Sequence, residues 1–210
     1  GLGRASHERD PDSYEKCWAH CDLLVVGAGA AGLMAALTAA RAGARVILAD
    51  ENAHPGGYLP TEKALMIDGM APHDFVKTLL DELGSLPNVE ILSRTTVFGW
   101  YDGAVFGAVE RVQKHLGTPA PSAPAERLWR IAARHAILAT GAEERPLVFG
   151  GNDIPGVMLA GAMRTYLNRY AVAPGRRVAV FTTNDSGYAL SADLEGAGIE
   201  VAAIVDTRPE

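Results

Sequence analysis

The chain has 210 residues, 48% of them hydrophobic and 21% charged, with a formal net charge of −6 at pH 7 and a pI near 5.5. That profile fits a soluble globular protein of one large or two small domains, and it excludes the basic footprint of a nucleic-acid binder. Residues 1–20 mix charges of both signs and hold no apolar core ahead of a cleavage-like site, so no secretory signal is read. A cytoplasmic protein with neither a nucleic-acid nor a membrane partner is expected.

Residues 1–20 (GLGRASHERDPDSYEKCWAH) read as a polar lead-in, with Tyr14 and Trp18 four apart and able to anchor one short helical turn. The two cysteines, Cys17 and Cys21, lack the C-x-x-C spacing of a dithiol redox centre, which argues against disulfide reductase chemistry in this chain. With His20 they make three candidate metal ligands and no fourth at a recognisable spacing, so no metal is expected. Cys21 reads as a small apolar residue entering a strand.

Leu23, Leu24, Val25 and Val26 form an unbroken apolar run, the pattern of a strand buried on both faces. Gly27, Gly29 and Gly32 follow it at G-x-G-x-x-G spacing, where a strand turns sharply into a helix and a pyrophosphate can lie against the backbone. The amides at the start of that helix, around Ala30 and Ala31, lack intrahelical partners and can hold an anion. A small-residue helix over 33–42 and a strand over 45–49 complete a βαβ unit ending in Asp50 and Glu51. An acid at that strand end accepts hydrogen bonds from a ribose 2'-hydroxyl and repels a 2'-phosphate, which favours NAD or the adenosine half of FAD over NADP. Gly27, Gly29, Gly32 and Thr38, with Arg41 directly after, break the long apolar stretch too often for a membrane span.

The loop over 51–60 (ENAHPGGYLP) leaves the carboxyl end of the second strand, so Asn52, Gly57 and Tyr58 are candidates to close over an adenosine. Phe75, Val76, Leu79, Leu80 and Leu83 mark one face of a helix over 72–86, with Pro72 suited to its first turn. Residues 88–92 predict a third parallel strand and 95–101 an extended segment whose backbone at Val97 is the candidate adenine contact. Alternating apolar residues over 104–134 predict an antiparallel meander, with a proline-rich hairpin tip over 115–126. Residues 135–141 read as another buried strand ending in Ala139, Thr140 and Gly141. That tripeptide resembles the close of the first nucleotide domain in many two-dinucleotide-binding flavoproteins, a resemblance that implies a backbone passing beside the pyrophosphate at Thr140 and Gly141.

A crossover loop over 143–155 and a helix within 156–170 lead to a second Rossmann-like unit: a strand over 177–181, a helix over 188–197 and a strand over 200–205. Its turn, TTNDSG over 182–187, keeps only the last of the three glycines. Side chains stand where a pyrophosphate would approach, so ordinary dinucleotide binding is not expected there. Hydrogen bonding of a smaller ligand by Thr182, Thr183 and Asn184 stays open. The expected architecture is α/β, of the Rossmann type with two dinucleotide-binding units and an antiparallel meander between them. Its segments are a lead-in over 1–21, a first dinucleotide-binding domain over 22–150 with the meander at about 96–134, and the start of a second domain over 151–210. A second Rossmann domain needs further strands after Val205, so a longer polypeptide with a truncated second unit is expected.

The segments HCDLLVVGAGAAGL, LADENAHPGG, TTVFGWYD, AILATGAEERPLVFGGNDIPGVM and VAVFTTNDSGY resemble the alpha subunit of bacterial heterotetrameric sarcosine oxidase, from about residue 20 to 210. The resemblance implies oxidative demethylation of N-methylglycine to glycine with oxygen. Formaldehyde or methylene-tetrahydrofolate and hydrogen peroxide are the co-products. It implies FAD on the beta subunit, FMN at the alpha–beta interface, tetrahydrofolate as one-carbon acceptor, and partners in the remaining alpha-chain segments and the beta, gamma and delta subunits. It places NAD at the glycine turn, with Gly27, Gly29, Ala31 and Gly32 at the phosphates and Asp50, Glu51 and Asn52 at the ribose. Gly57 and Tyr58 would lie nearby, and Val97 at the adenine. Many relatives carry arginine or another long polar residue where this chain has Asn52. No catalytic residue is identified, and Arg145 and Arg164 read as surface charge or anion contacts. The alternative is an FAD-dependent opine or hydroxyproline dehydrogenase subunit with FAD at the same turn.

Overall fold

The structure, a computed structural model, describes residues 3–5, 7–118, 120 and 122–209. Its strands are β1 (Tyr14–Val26), β2 (Val46–Ala49), β3 (Val89–Leu92), β4 (Thr95–Tyr101), β5 (Val105–Arg111), β6 (Glu126–Leu138), β7 (Arg177–Thr182) and β8 (Glu200–Asp206). Its helices are α1 (Ala30–Arg41), α2 (Pro72–Ser85), α3 (Ala160–Arg164) and α4 (Ser186–Gly196). The chain divides into two compact units, one of Gly1–Pro55 with Leu79–Thr140, the other of Gly56–Thr78 with Gly141–Glu210.

The first unit is built on a six-stranded sheet in the order β3-β2-β1-β6-β5-β4. Pairings among β1, β2, β3 and β6 are parallel, and β4, β5 and β6 pair antiparallel, so the Rossmann half and the meander share one continuous sheet. All four residues of β2 are buried, as expected for a strand inside a parallel sheet. Gly32, Leu33, Ala36, Leu37 and Ala40 form the buried stripe of α1, where the leucines fill the interface and Gly32, Ala36 and Ala40 let the helix come close. A core cluster gathers Cys21, Leu24, Ile47, Ala49, Leu92, Phe106, Ala108, Ile131 and Ala133 from both halves of the sheet.

Residues 14–20 are strand, not a helical turn. They form the first half of β1 and pair residue for residue with β6, from Tyr14 opposite Glu126 onward. Two residues four apart share a face in a strand as well as in a helix, so Tyr14 and Trp18 fit either period. The alternation decides: Cys17, Ala19 and Cys21 turn inward while Lys16, Trp18 and His20 are exposed. The same alternation puts His20 on the face opposite both cysteines, so the three cannot converge on a metal. Burial pushes the Cys21 thiol up to about 11 and raises that of Cys17, so neither is a ready thiolate.

The last strand of the meander and the strand over 135–138 are one 13-residue strand, β6. Its final residues are not buried: Ile137 is 40% and Leu138 69% exposed. The reason is topological. Pairing with β5 stops at Ala132, so residues 135–138 have β1 on one side only. In the hairpin tip, Gln113 is buried and its side-chain amide bonds Ala120 and Ala123, while Pro119 and Pro121 lie outside the described residues.

In the second unit, β7 and β8 pair in parallel, and Met163, Leu167, Val180, Leu190, Leu194 and Ile199 form its core. The helix expected within 156–170 resolves into α3, five residues long, followed by a π-helical turn over Thr165–Arg169.

Candidate functional site

At the end of β1 the Gly27 amide donates to the Ala49 carbonyl of β2, and Val26 accepts from the Ala139 amide, both at 2.8 Å. Gly27 then turns with φ +97°, a region L side chains rarely adopt. A Cβ there would also enter the Ala139 carbonyl, so Ala139 and Thr140 fit beside the turn because residue 27 has no side chain. Gly32 answers to a different constraint: its Cβ would collide with the carbonyl of Gly27, so the contact that needs a glycine is with the turn itself. Gly29 has ordinary extended geometry, φ −73° and ψ −172°, and a Cβ placed on it would meet nothing within 4 Å. Two glycines are therefore required by the fold, and the third borders open space.

That space lies in front of α1. The helix has no side-chain cap and no acid in its first turn, and its first intrahelical bond runs from the Leu33 amide to the Gly29 carbonyl at 2.9 Å. The amides of Ala30, Ala31 and Gly32 are left to a ligand or water, at the positive end of the dipole.

Asp50 ends β2 and is only 7% exposed. Its Oδ2 accepts the Ala28 amide at 2.6 Å and its Oδ1 the Asn52 amide at 2.8 Å. One carboxylate thus shapes both the glycine turn and the loop that follows β2. Glu51 and Asn52 are exposed. Behind them the β3–β4 turn takes up the loop's carbonyls, Thr95 N–H bonding Asp50 at 2.7 Å and Arg94 N–H bonding Asn52 at 2.9 Å. Val97 packs its side chain on the core cluster, leaving its backbone for any outward contact. Thr140 is exposed at the last position of the unit.

Gly57, Tyr58 and Gly141 belong to the second unit. There Tyr58 is 56% exposed and lines a cavity of about 250 Å³ with Glu143, Glu144, Leu159, Gly161, Ala162 and Thr165. Gly141 has φ +73° and open space around it. Arg145 is exposed. Arg164 is neither surface charge nor an open anion contact: its side chain is 14% exposed and bonds Glu62 and Asp193 at 2.7–3.0 Å.

The second turn is filled by its own side chains. Thr182 is buried, and its Oγ1 donates to the Asn184 carbonyl at 2.7 Å and accepts the Asn184 amide at 3.2 Å. Asn184 Oδ1 takes the amide of Ser186, the first residue of α4, at 2.9 Å. A Cβ on Gly187 would strike the Thr182 side chain at 2.6 Å, so the one retained glycine serves packing.

A parallel βαβ unit whose glycine turn leaves helix amides open beside an acidic strand end is the nucleotide-binding Rossmann construction. The chain belongs to the pyridine nucleotide-disulphide oxidoreductase family, whose profile matches residues 21–206. The expected likeness to sarcosine oxidase is borne out. The chain is 69% identical over 209 residues to "Sarcosine oxidase subunit alpha" of Rhizobium meliloti (strain 1021), covering 100% of this chain and 21% of that protein. It is 47% identical over 209 residues to the same-named subunit of Corynebacterium sp. (strain P-1), covering 99% of this chain and 22% of that one. The chain therefore spans about a fifth of the length of these relatives. A similar solved structure is L-proline dehydrogenase from P. horikoshii, with a TM-score of 0.72 and 28% identity over 97% of this chain and 38% of that chain. The Rossmann-type α/β architecture agrees with these relatives. Sequence spacing pointed to the glycines and the acids. It missed the hydrogen bonds that Asp50 makes within the turn and the contribution of the β3–β4 turn, for which no local signal exists.

Proposed function

We propose that this chain is the dinucleotide-binding region of a flavin-dependent amine oxidase, and that its glycine turn holds the pyrophosphate of NAD. The observation that carries this reading is the open space at Gly29 in front of an uncapped helix N-terminus, beside Asp50 and Glu51. The amides of Ala30, Ala31 and Gly32 would donate to the phosphates. Glu51 and Asn52, exposed at the strand end, would take the ribose hydroxyls, and the acidic pair disfavours a 2'-phosphate. Val97 would offer its backbone to the adenine, and Thr140 would border the pyrophosphate.

The 69% identity to a sarcosine oxidase subunit supports N-methylglycine as the substrate of the whole assembly. In that assembly glycine would be the product, with formaldehyde or methylene-tetrahydrofolate and hydrogen peroxide. FAD and FMN held by other segments or by beta, gamma and delta subunits would supply the redox chemistry. This chain's own residues would bind and orient a nucleotide. The filled second turn supports a single dinucleotide site in this stretch of chain.

A second reading places FAD at the same turn, as in an FAD-dependent opine or hydroxyproline dehydrogenase subunit. The similarity to L-proline dehydrogenase supports it, and the space at Gly29 accepts either pyrophosphate. The visible spectrum of the purified protein, with enzymatic assay of its heat-released supernatant, separates the two. Stoichiometric NAD that is lost in Gly29→Leu, with any flavin retained, is the expected result. Stoichiometric FAD lost in that variant would move the flavin into the turn.

A further inference from the structure

Arg111, the last residue of β5, lies 60 positions from Glu51 in sequence, yet its Nη2 donates to the Glu51 carbonyl at 2.8 Å. That carbonyl shares a peptide plane with the Asn52 amide, and the Asn52 amide donates to Asp50 Oδ1 at 2.8 Å. One peptide is thus held from both sides, by a guanidinium at its oxygen and a carboxylate at its nitrogen. The carbonyls on either side are bound by backbone amides, those of Thr95 and Arg94. The middle one depends on a side chain. Arg94 itself sits at φ +54°, an uncommon conformation outside glycine, and its carbonyl accepts the Arg111 amide at 3.0 Å. The chain of bonds runs on, because the other oxygen of Asp50 holds the Ala28 amide of the glycine turn at 2.6 Å.

We infer that Arg111 is a positioning residue of the nucleotide site: by fixing the peptide between Glu51 and Asn52, it sets where the Glu51 carboxylate meets the ribose. The inference rests on the nucleotide reading above and deepens it. A peptide released at its oxygen can rotate, and rotation re-aims Glu51 while breaking the Asn52 bond to Asp50. The ligand feature that senses the change is the ribose 2'-hydroxyl, the group an acid at this strand end recognises. Arg111 acts through the Glu51 peptide and not on the ligand itself, so its removal acts on one part of the nucleotide and spares the rest.

The experiment is calorimetric titration of the intact protein, stripped of nucleotide, with ADP-ribose and with its 2'-deoxyribose analogue, the deoxy sugar on the adenosine side. Arg111→Met is expected to weaken ADP-ribose about tenfold, the scale of one hydrogen bond to a charged group, and to leave the deoxy analogue within about twofold. Arg111→Lys, which keeps a donor without the planar fork, is expected to recover part of the loss. Arg111 is exposed, and an unchanged unfolding midpoint verifies that each variant is folded. Equal weakening of both ligands, or no weakening of either, overturns the inference while leaving the nucleotide reading intact. A wild-type protein that binds neither ligand overturns the nucleotide reading and this inference with it.

Discussion

Gly32 lies directly beneath the carbonyl of Gly27, so close that a single added methyl group would overlap the oxygen. The helix and the turn that precedes it are therefore one packed object. Five residues of sequence bring α1 back onto its own entry loop, and Ala139, the residue after β6, closes the contact, its Cβ 3.3 Å from where that of residue 32 would stand. The anion-binding geometry is a consequence of this packing.

Gly32→Ala is expected to destabilise the protein by about 1–3 kcal/mol, the range for overpacking against a rigid backbone, and to weaken nucleotide binding with it. Gly29→Ala should leave the thermal midpoint within about 1 °C, because the added atom meets nothing and a ΔΔG near zero shifts Tm little. Its cost should appear in nucleotide affinity instead. Thermal unfolding and calorimetric titration of the two variants side by side check both; equal losses of stability would sink the division of labour between these glycines.

Thr183→Ala in the second turn should change dinucleotide affinity by less than about twofold, since surface substitutions away from a site are close to neutral. Gly29→Leu should abolish binding by filling the phosphate space. Comparable losses from the two would mean that both turns carry nucleotide.

Arg164 binds Glu62 through two parallel hydrogen bonds and Asp193 through its Nε, and Asn168 Nδ2 bridges Asp193 and the Thr61 carbonyl. Replacing Arg164 by methionine removes the cation shared by two carboxylates in a half-buried pocket, leaving Asp193 to the Asn168 amide. A loss of about 2–4 kcal/mol is expected, somewhat below that for breaking a fully buried pair. Lysine keeps the charge but cannot serve both acids in the same plane, so an intermediate loss should follow. Urea unfolding at neutral pH measures both; a loss below about 0.5 kcal/mol for Arg164→Met would mark the network as solvated.

Asp22 accepts the Arg45 amide at 3.0 Å and its guanidinium at 2.9–3.0 Å, which holds the carboxyl well below the usual carboxylate range. A carboxyl depressed in the folded state stabilises above its unfolded pKa, near 3.9, and the contribution fades as pH falls below that value. Asp206, bonded by Arg208 and Tyr188, behaves the same way. Asp22→Asn should therefore flatten the fall in stability between about pH 4 and pH 2 while leaving the slope above pH 6 unchanged. Denaturant titrations across that range check the sign, and high salt should shrink the effect because the pair is partly exposed.

The local features of the nucleotide site were legible in the sequence because they are set by neighbours. The apolar run of β1, the spacing of Gly27, Gly29 and Gly32, the small-residue stripe of α1 and the acids after β2 all lie within a stretch of about 30 residues, the scale of one βαβ unit. Period-2 and period-3.6 patterns likewise located β2, β3, α2, β7, α4 and β8, whose periods no other element had to decide. Tyr14 and Trp18 were ambiguous because four residues return a side chain to the same face in both periods, and only pairing with β6 made that stretch a strand. The exposure of Ile137 and Leu138 followed from where β5 ends, a fact of topology absent from their own composition. Asp50, Arg111 and Arg164 were decided in the same way. Their types announce charge, but hydrogen bonds to Ala28, Glu51, Glu62 and Asp193 span 22 to 102 positions and exist only once the sheet and the helices have brought those groups together. Composition states what a residue can bond; the tertiary structure decides which partner reaches it first.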